Sequence, residues 1–314
     1  MLKNYYVRGN TSDGLVNHLQ SNLHGIQETI RLEDTSYKLN TEILNALIEA
    51  NKEETSVEVL KSPISKDYLD GVIFRGKQIA VLAHHDEPFT NKAYEYFQKG
   101  LAVHDDLEKV YIQEMDFEKA DALAKNFIQN LLSDKPKQSR TPYVYHRLFG
   151  TNTVDGIVNE VPNLIADLDY IYHIKGRAGT GKSTFMKKVA NACVDHGLDV
   201  EIYHCSFDPN SIDMVLMPEL RICLFDSTDP HEFEPADKTR EEIIDLYEEA
   251  VTPGTDEKYA KEIAELNQEY KSYMKKGLEV LKDEGKKILA AENGRNFSQI
   301  EIDQIVSQIQ TKMN

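Results

Sequence analysis

Residues Gly176-Arg-Ala-Gly-Thr-Gly-Lys-Ser183 carry the glycine, lysine and hydroxyl spacing of a GxxxxGKS phosphate-binding loop. In that chemistry Gly176, Gly179 and Gly181 let the backbone turn successive N–H groups inward, toward a polyphosphate at the positive end of the following helix. Lys182 is expected to reach the β- and γ-phosphates, and the Ser183 hydroxyl to ligate magnesium. Arg177, Ala178 and Thr180 complete the cradle, with Thr184 as a neighbour of no assigned role. The loop predicts ATP or GTP binding with Mg2+.

Further candidates follow downstream. Ile222-Cys-Leu-Phe-Asp226 is four apolar residues ending in a carboxylate, the pattern of a buried strand that delivers an acid to its carboxyl end. Asp226 lies 43 residues after Ser183 and is expected to share the metal with it as the Walker B acid. Ser227 stands where many hydrolytic ATPases place a water-activating glutamate, which argues against rapid hydrolysis. Asp208 and Asp213, beyond the strand-like Val200 to Cys205, are placed to orient or deprotonate a phosphoryl acceptor, although Asp208-Pro-Asn210 also suits a turn and cap. His231 reads either as a γ-phosphate sensor or water-positioning group, or as a plain loop histidine.

The elements around the loop come in the order it requires. Tyr170 to Ile174 is β-branched and aromatic, as a buried strand would be, and Lys182 to His196 sets Phe185, Val189 and Ala192 on one helical face. Composition sets outer limits: 314 residues suffice for two domains, and a net charge of −17 opposes extended contact with a phosphate backbone. Nucleic acid is therefore an unlikely partner. Cys193, Cys205 and Cys223 sit in apolar contexts without metal-ligand spacing, as small core residues do. No signal-like leader or membrane-spanning run is evident, so a cytoplasmic protein is expected.

The chain also repeats itself. Gly9-Asn-Thr-Ser-Asp-Gly-Leu-Val-Asn17 returns as Gly150-Thr-Asn-Thr-Val-Asp-Gly-Ile-Val-Asn159. Val57-Glu-Val59 matches Val200-Glu-Ile202, Asp70 matches Asp213, and Ile79 to Leu82 matches Ile222 to Phe225, all at a spacing of 143 residues. Tyr96 to Leu101 matches Tyr273 to Leu278. These matches predict a tandem duplication with a degenerate first domain at 1–135, a linker at 136–142 and a phosphate-loop domain at 143–314. The same spacing sets Glu33 to Asn40 opposite the loop, Leu39 opposite Lys182 and Ala83 opposite Asp226, with Glu33 and Asp34 repelling phosphate. No glycine occurs between Gly25 and Gly71, so the first copy is expected to lack a site.

The second copy holds extra material after Phe233. Lys238-Thr-Arg-Glu-Glu-Ile-Ile244 reads as helical, Thr252 to Thr255 as a turn, and the chain from Asp256 as a charged helical tail broken at Glu292 to Asn296. Arg240 or Lys238 is a candidate lid residue reaching the phosphates. The fold class expected is α/β: tandem P-loop NTPase-like three-layer domains with mainly parallel sheets, fewer strands per copy than five, and the halves closely packed.

The loop, His204 to Asp213, Pro218-Glu-Leu220 and Asp226 to His231 together resemble an uncharacterised bacterial family of duplicated P-loop ATPase or nucleotide-kinase-like proteins. The resemblance covers nearly the whole chain and implies ATP or GTP binding. Members often carry a loop in both halves; the first half here departs from that, so a two-site mechanism does not carry over. Three functions remain: a slow Mg-dependent NTPase coupled to a conformational output, a small-molecule or nucleotide kinase, and a nucleotide-sensing module without turnover. A protein partner or homo-oligomer is compatible with each.

Overall fold

The computed structural model describes residues 2–83 and 89–313. The amino-terminal half runs β1 (Leu2–Tyr6), β2 (Arg8–Thr11), β3 (Gly14–Asn17), α1 (Leu19–Asn22), β4 (Glu28–Arg31), α2 (Tyr37–Ala50), β5 (Val57–Lys61), β6 (Leu69–Phe74), β7 (Ile79–Leu82), α3 (Asn91–Ile112) and α4 (Phe117–Leu132). The carboxyl-terminal half repeats that order as β8 (Val144–Arg147), β9 (Gly150–Thr153), β10 (Gly156–Asn159), α5 (Val161–Ile165), β11 (Tyr170–Lys175), α6 (Lys182–Asp195), β12 (Val200–His204), β13 (Ile212–Met217) and β14 (Ile222–Asp226). It then inserts β15 (Glu241–Asp245), α7 (Leu246–Ala250) and α8 (Thr255–Lys258) before α9 (Ala260–Asn293) and α10 (Gln299–Met313).

Both main sheets use one strand order. The first is β1-β5-β6-β7-β4; the second is β8-β12-β13-β14-β11, extended by β15 at the β11 edge. In each, only the middle strand, β6 or β13, runs against its neighbours, and the other pairings are parallel. The sheets are therefore mixed, with five and six strands, where the sequence suggested fewer. Ile212–Met217 supplies the strand missed between Val200 and Asp226; all six of its residues are buried, so it lacks the alternation that marks a half-exposed strand. The repeated hairpin motif aligns as Arg8–Asn17 with Gly150–Asn159, one residue off the match by glycines.

The layers also differ from expectation. The longer helices pack on one face of each sheet, and the other faces meet, together with Val161 and Leu164 of the short α5, across a shared core of Tyr5, Leu60, Ile73 and Leu82 against Ile171, Tyr203, Leu216 and Phe225. The result is four layers, α/β/β/α, rather than two three-layer units, because apolar residues on both sheet faces bury the second face against the other sheet.

The outer helices are exchanged between halves. Ile302, Val306, Ile309 and Met313 of α10 pack with Leu44 and Leu47 of α2 over Val57, Val72 and Phe74 of the first sheet. Reciprocally, Ala124 and Phe127 of α4 pack with Phe185 and Val189 of α6 over the second sheet. The expected carboxyl-terminal tail is thus the counterpart of α3 and α4. The long helices α3 and α9 cross closely enough that a Cβ on Gly277 would lie 2.3 Å from Phe97 Cε1.

One polar cluster is sealed between the sheets. The fully buried Arg147 bridges Glu58 at 3.1 Å and Glu201 at 3.0 Å, which occupy matching positions on β5 and β12. Arg75 and Lys3 add a second cation to each glutamate, and the Tyr5 and Tyr203 hydroxyls donate to Glu58 and Glu201. Burial alone would raise Glu58, but Arg147 and Arg75 hold it down to about 2. Among the described residues, no helix is long and apolar enough to cross a membrane.

Candidate functional site

The phosphate-type loop joins β11 directly to α6. Gly176, Gly179 and Gly181 all have positive φ, at 150°, 71° and 84°. A Cβ on Gly176 would lie 2.4 Å from Thr180 Oγ1, and one on Gly179 would lie 2.5 Å from the backbone oxygen of Glu108 in α3. Glycine at 179 is thus demanded twice, by its own φ and by a helix of the other half. Gly181 is the N-cap of α6 and has no side chain to satisfy the helix's first N–H groups. The helix buries Phe185, Met186, Val189, Ala190 and Cys193, so Cys193 takes the place expected for Ala192.

The charged groups converge at the same end. Lys182 Nζ donates to the Arg177 carbonyl at 2.8 Å and lies 3.7 Å from Asp226 Oδ2. Asp226 stands at the carboxyl end of β14, paired in register with Ile174 of β11. Its carboxylate accepts from the Thr228 hydroxyl at 2.6 Å. Ser183 Oγ accepts from the Ile212 backbone N–H at 3.1 Å, which ties α6 to the start of β13. Thr180 is buried and donates to the Arg177 carbonyl. Arg177 itself turns away, bonding Asp256 in α8 at 3.0 Å and stacking on Tyr247. Its contribution to a cradle is through the backbone, while the insert holds its side chain.

His231 is also brought to this end. Its Nδ1 donates to the Asp226 carbonyl at 2.9 Å and its Nε2 lies 3.6 Å from Asp213. Burial would lower its pKa, yet the Asp213 carboxylate outweighs that and raises it to about 9. At neutral pH His231 is an imidazolium, suited to stabilising negative charge and unsuited to taking a proton from water. Asp208 accepts from the Asn210 N–H at 3.0 Å, the Asx turn read as an alternative, and it also faces the same cavity.

The expected helix in the insert and the reach of Arg240 to the loop are both overturned. Lys238 to Ile244 is not helical; residues Glu241–Asp245 form β15, parallel to β11, with Glu241 buried against His173 at 3.1 Å. Arg240 precedes β15 at the amino end of these strands, opposite the loop, and donates to the Leu168 carbonyl at 2.7 Å. The turn at Thr252 to Thr255 and the helical break after Glu292 both form as expected.

A cavity of about 740 Å³ opens over the loop, within the range of small-ligand sites. It is lined by Gly176 to Thr184, Asp208, Asp213, Asp226 and His231 from the carboxyl-terminal half. The opposite wall comes from α3, α4 and the turn between them, with His104, Glu108, Met115 and Phe117, and from Tyr270 and Lys271 of α9. Asp245, at the end of β15, joins the lining and caps α7. Sequence reasoning missed these walls because local pattern does not reveal which sheet an exchanged helix will cover.

The corresponding place in the amino-terminal half is filled by the chain itself. Tyr37, not Leu39, takes the first helical position that Lys182 holds in α6, and Ser36 replaces Gly181 as N-cap. The Glu292 carboxylate, from the end of α9, accepts from the Ser36 hydroxyl at 2.6 Å and the Lys38 N–H at 3.0 Å. Glu33 and Asp34 are exposed, yet the Asp34 carboxylate accepts from the Ser36 N–H at 2.6 Å, so Asp34 joins the buried Glu292 in placing negative charge at this helix terminus. By the match of Tyr96 to Tyr273, Glu292 corresponds to Met115, whose Cε lies 4.0 Å from where a Gly181 Cβ would be. An apolar methyl stands beside α6 where an anion stands at α2.

Comparisons with protein-family models, curated proteins and solved structures return no match for this chain. Among the described residues, no group of three or more His, Cys, Asp or Glu is arranged to hold a metal ion. Ser183 and Asp226 present the hard oxygen donors that suit Mg2+, which commonly completes its shell with water and substrate phosphates.

Proposed function

We propose that this chain is a cytoplasmic P-loop NTPase built by duplication, binding one ATP or GTP with Mg2+ at Gly176 to Ser183 and hydrolysing it slowly to drive a conformational output. The observation that carries the reading is the contrast between equivalent helix termini. That of α2 is neutralised by Glu292, whereas that of α6 faces a cavity behind three positive-φ glycines, with Lys182 and Asp226 beside it. The repeated element order and shared strand order support descent of both halves from one unit.

In this reading Lys182 leaves the Arg177 carbonyl for the β- and γ-phosphates, and the loop N–H groups from Gly176 onward hold the polyphosphate. Ser183 and Asp226 hold Mg2+, which when bound neutralises phosphate charge. The imidazolium of His231 adds positive charge at the γ-phosphate end and keeps Asp226 oriented through its carbonyl. Ser227 is occupied by bonds with Phe233, leaving no carboxylate after Asp226 to activate water, in keeping with slow turnover.

Asp208 in the same cavity supports a kinase as the second reading. A turnover assay with and without a panel of nucleosides and phosphorylatable metabolites separates them. Slow ADP release independent of any acceptor supports the NTPase, acceptor-dependent release the kinase, and tight binding without ADP the sensing module.

A further inference from the structure

The phosphate-facing groups account for one side of the cavity; the opposite wall is mixed, and its apolar stretch, Ile112, Met115, Phe117 and Ala120, comes from the other half. Ile112 and Phe117, at the end of α3 and start of α4, are 40% and 59% exposed, and both line this cavity with Met115 and Ala120, so their apolar surface is open to a ligand there. We infer that this wall is a nucleobase subsite, with Phe117 stacking on the purine of the bound nucleotide. The inference rests on the phosphate reading of Gly176 to Ser183.

Position supports it. Met115 Cε lies 4.0 Å from the place of a Cβ on Gly181, so this wall begins against the N-cap of α6. Phe117 is two residues further, at most about 7 Å of backbone, and lines the same cavity as the loop. Asp121 of α4 pairs with Lys188 of α6, which fixes the wall to the helix that carries the phosphate loop. A planar heterocycle with apolar faces fits an open phenyl ring, whereas a purely inorganic polyphosphate has nothing to place there. The half without a phosphate loop would then read the base while the other half reads the phosphates.

The chain contains no tryptophan, so Phe117→Trp introduces a single reporter. MgATP should change its emission saturably, while magnesium tripolyphosphate should compete with ATP and leave emission unchanged. Phe117→Ala should weaken ATP binding roughly tenfold or more without altering tripolyphosphate affinity. ATP binding that leaves the emission of the Phe117→Trp protein unmoved, together with full ATP affinity in Phe117→Ala, would overturn the base subsite and leave the phosphate site standing. Failure of both ATP and tripolyphosphate to bind the unaltered protein would overturn the phosphate reading and this inference with it.

Discussion

Asn10 and Asn152 hold each other: the Asn10 side-chain amide donates to the Asn152 carbonyl at 2.7 Å, and the Asn152 amide donates to the Asn10 carbonyl at 2.9 Å. The pattern recurs at Tyr6 and Leu148, whose backbones exchange two 2.9 Å bonds. Matching residues of the two halves thus contact one another reciprocally, as in an isologous dimer written into one chain. The exchange of α4 and α10 obeys the same relation, while Arg147, whose counterpart is Tyr5, joins the matching Glu58 and Glu201 from one half alone.

That relation makes Arg147 a test of the interface. Arg147→Met leaves Glu58 and Glu201 buried with one cation each, Arg75 and Lys3. The expected loss is about 3 kcal/mol, the low end of breaking a buried ion pair, read by urea unfolding. Loss under about 1 kcal/mol would mean that the paired glutamates do not depend on the arginine.

Glu292→Ala strands the Ser36 hydroxyl and the Lys38 N–H at a buried helix terminus. It should cost about 1–3 kcal/mol of stability. It should not create a second nucleotide site, because Tyr37 stands where Lys182 would be needed. Urea unfolding of the variant checks the loss of stability, and calorimetric stoichiometry checks that no second site appears.

His231 gives a pH dependence at the alkaline side. Its pKa rises from 6.5 to about 9 on folding, so its stabilisation is complete below the lower value and is lost as pH climbs through the upper. Thermal midpoints should fall between pH 7 and pH 9.5 in the native protein, by about 1.4 kcal/mol of stability per unit at most from this group, and the decline should flatten in His231→Gln. An unchanged slope in that variant would show that His231 is not the group responsible.

A second, acidic dependence comes from three histidines at the junction of the halves. His18 stacks on His204 with ring centroids 4.5 Å apart, and His146 Nδ1 meets His204 Nε2 at 2.9 Å. Burial first, then the neighbouring rings, lowers His18 to about 4, and burial lowers His146 and His204. A lowered histidine favours the fold when neutral, so stability should fall as pH drops from 6.5 toward 4. His18→Phe should blunt that fall in equilibrium unfolding measured across this range.

The loop, its flanking strand and helix, and the strand ending at Asp226 were legible because each rests on local pattern: glycines at fixed spacing, a β-branched run, a helical apolar stripe. The repeat was legible too, down to the matching Glu58 and Glu201. Three things were not. The fully buried Ile212–Met217 shows no alternation, and the edge strand Glu241–Asp245 carries charges that imitate a helix face. The side a helix covers is also silent in sequence: α4 and α10 are ordinary amphipathic helices whose stripe does not name its sheet. Glu292 meets Ser36 across 256 residues, so the carboxylate at the α2 terminus left no local mark.

Isothermal titration of the full chain with MgATP tests the central claim most directly. The account predicts one ATP per chain, with binding abolished by Lys182→Ala and retained in Tyr37→Phe. Two ATP per chain, or undiminished affinity in Lys182→Ala, would contradict it.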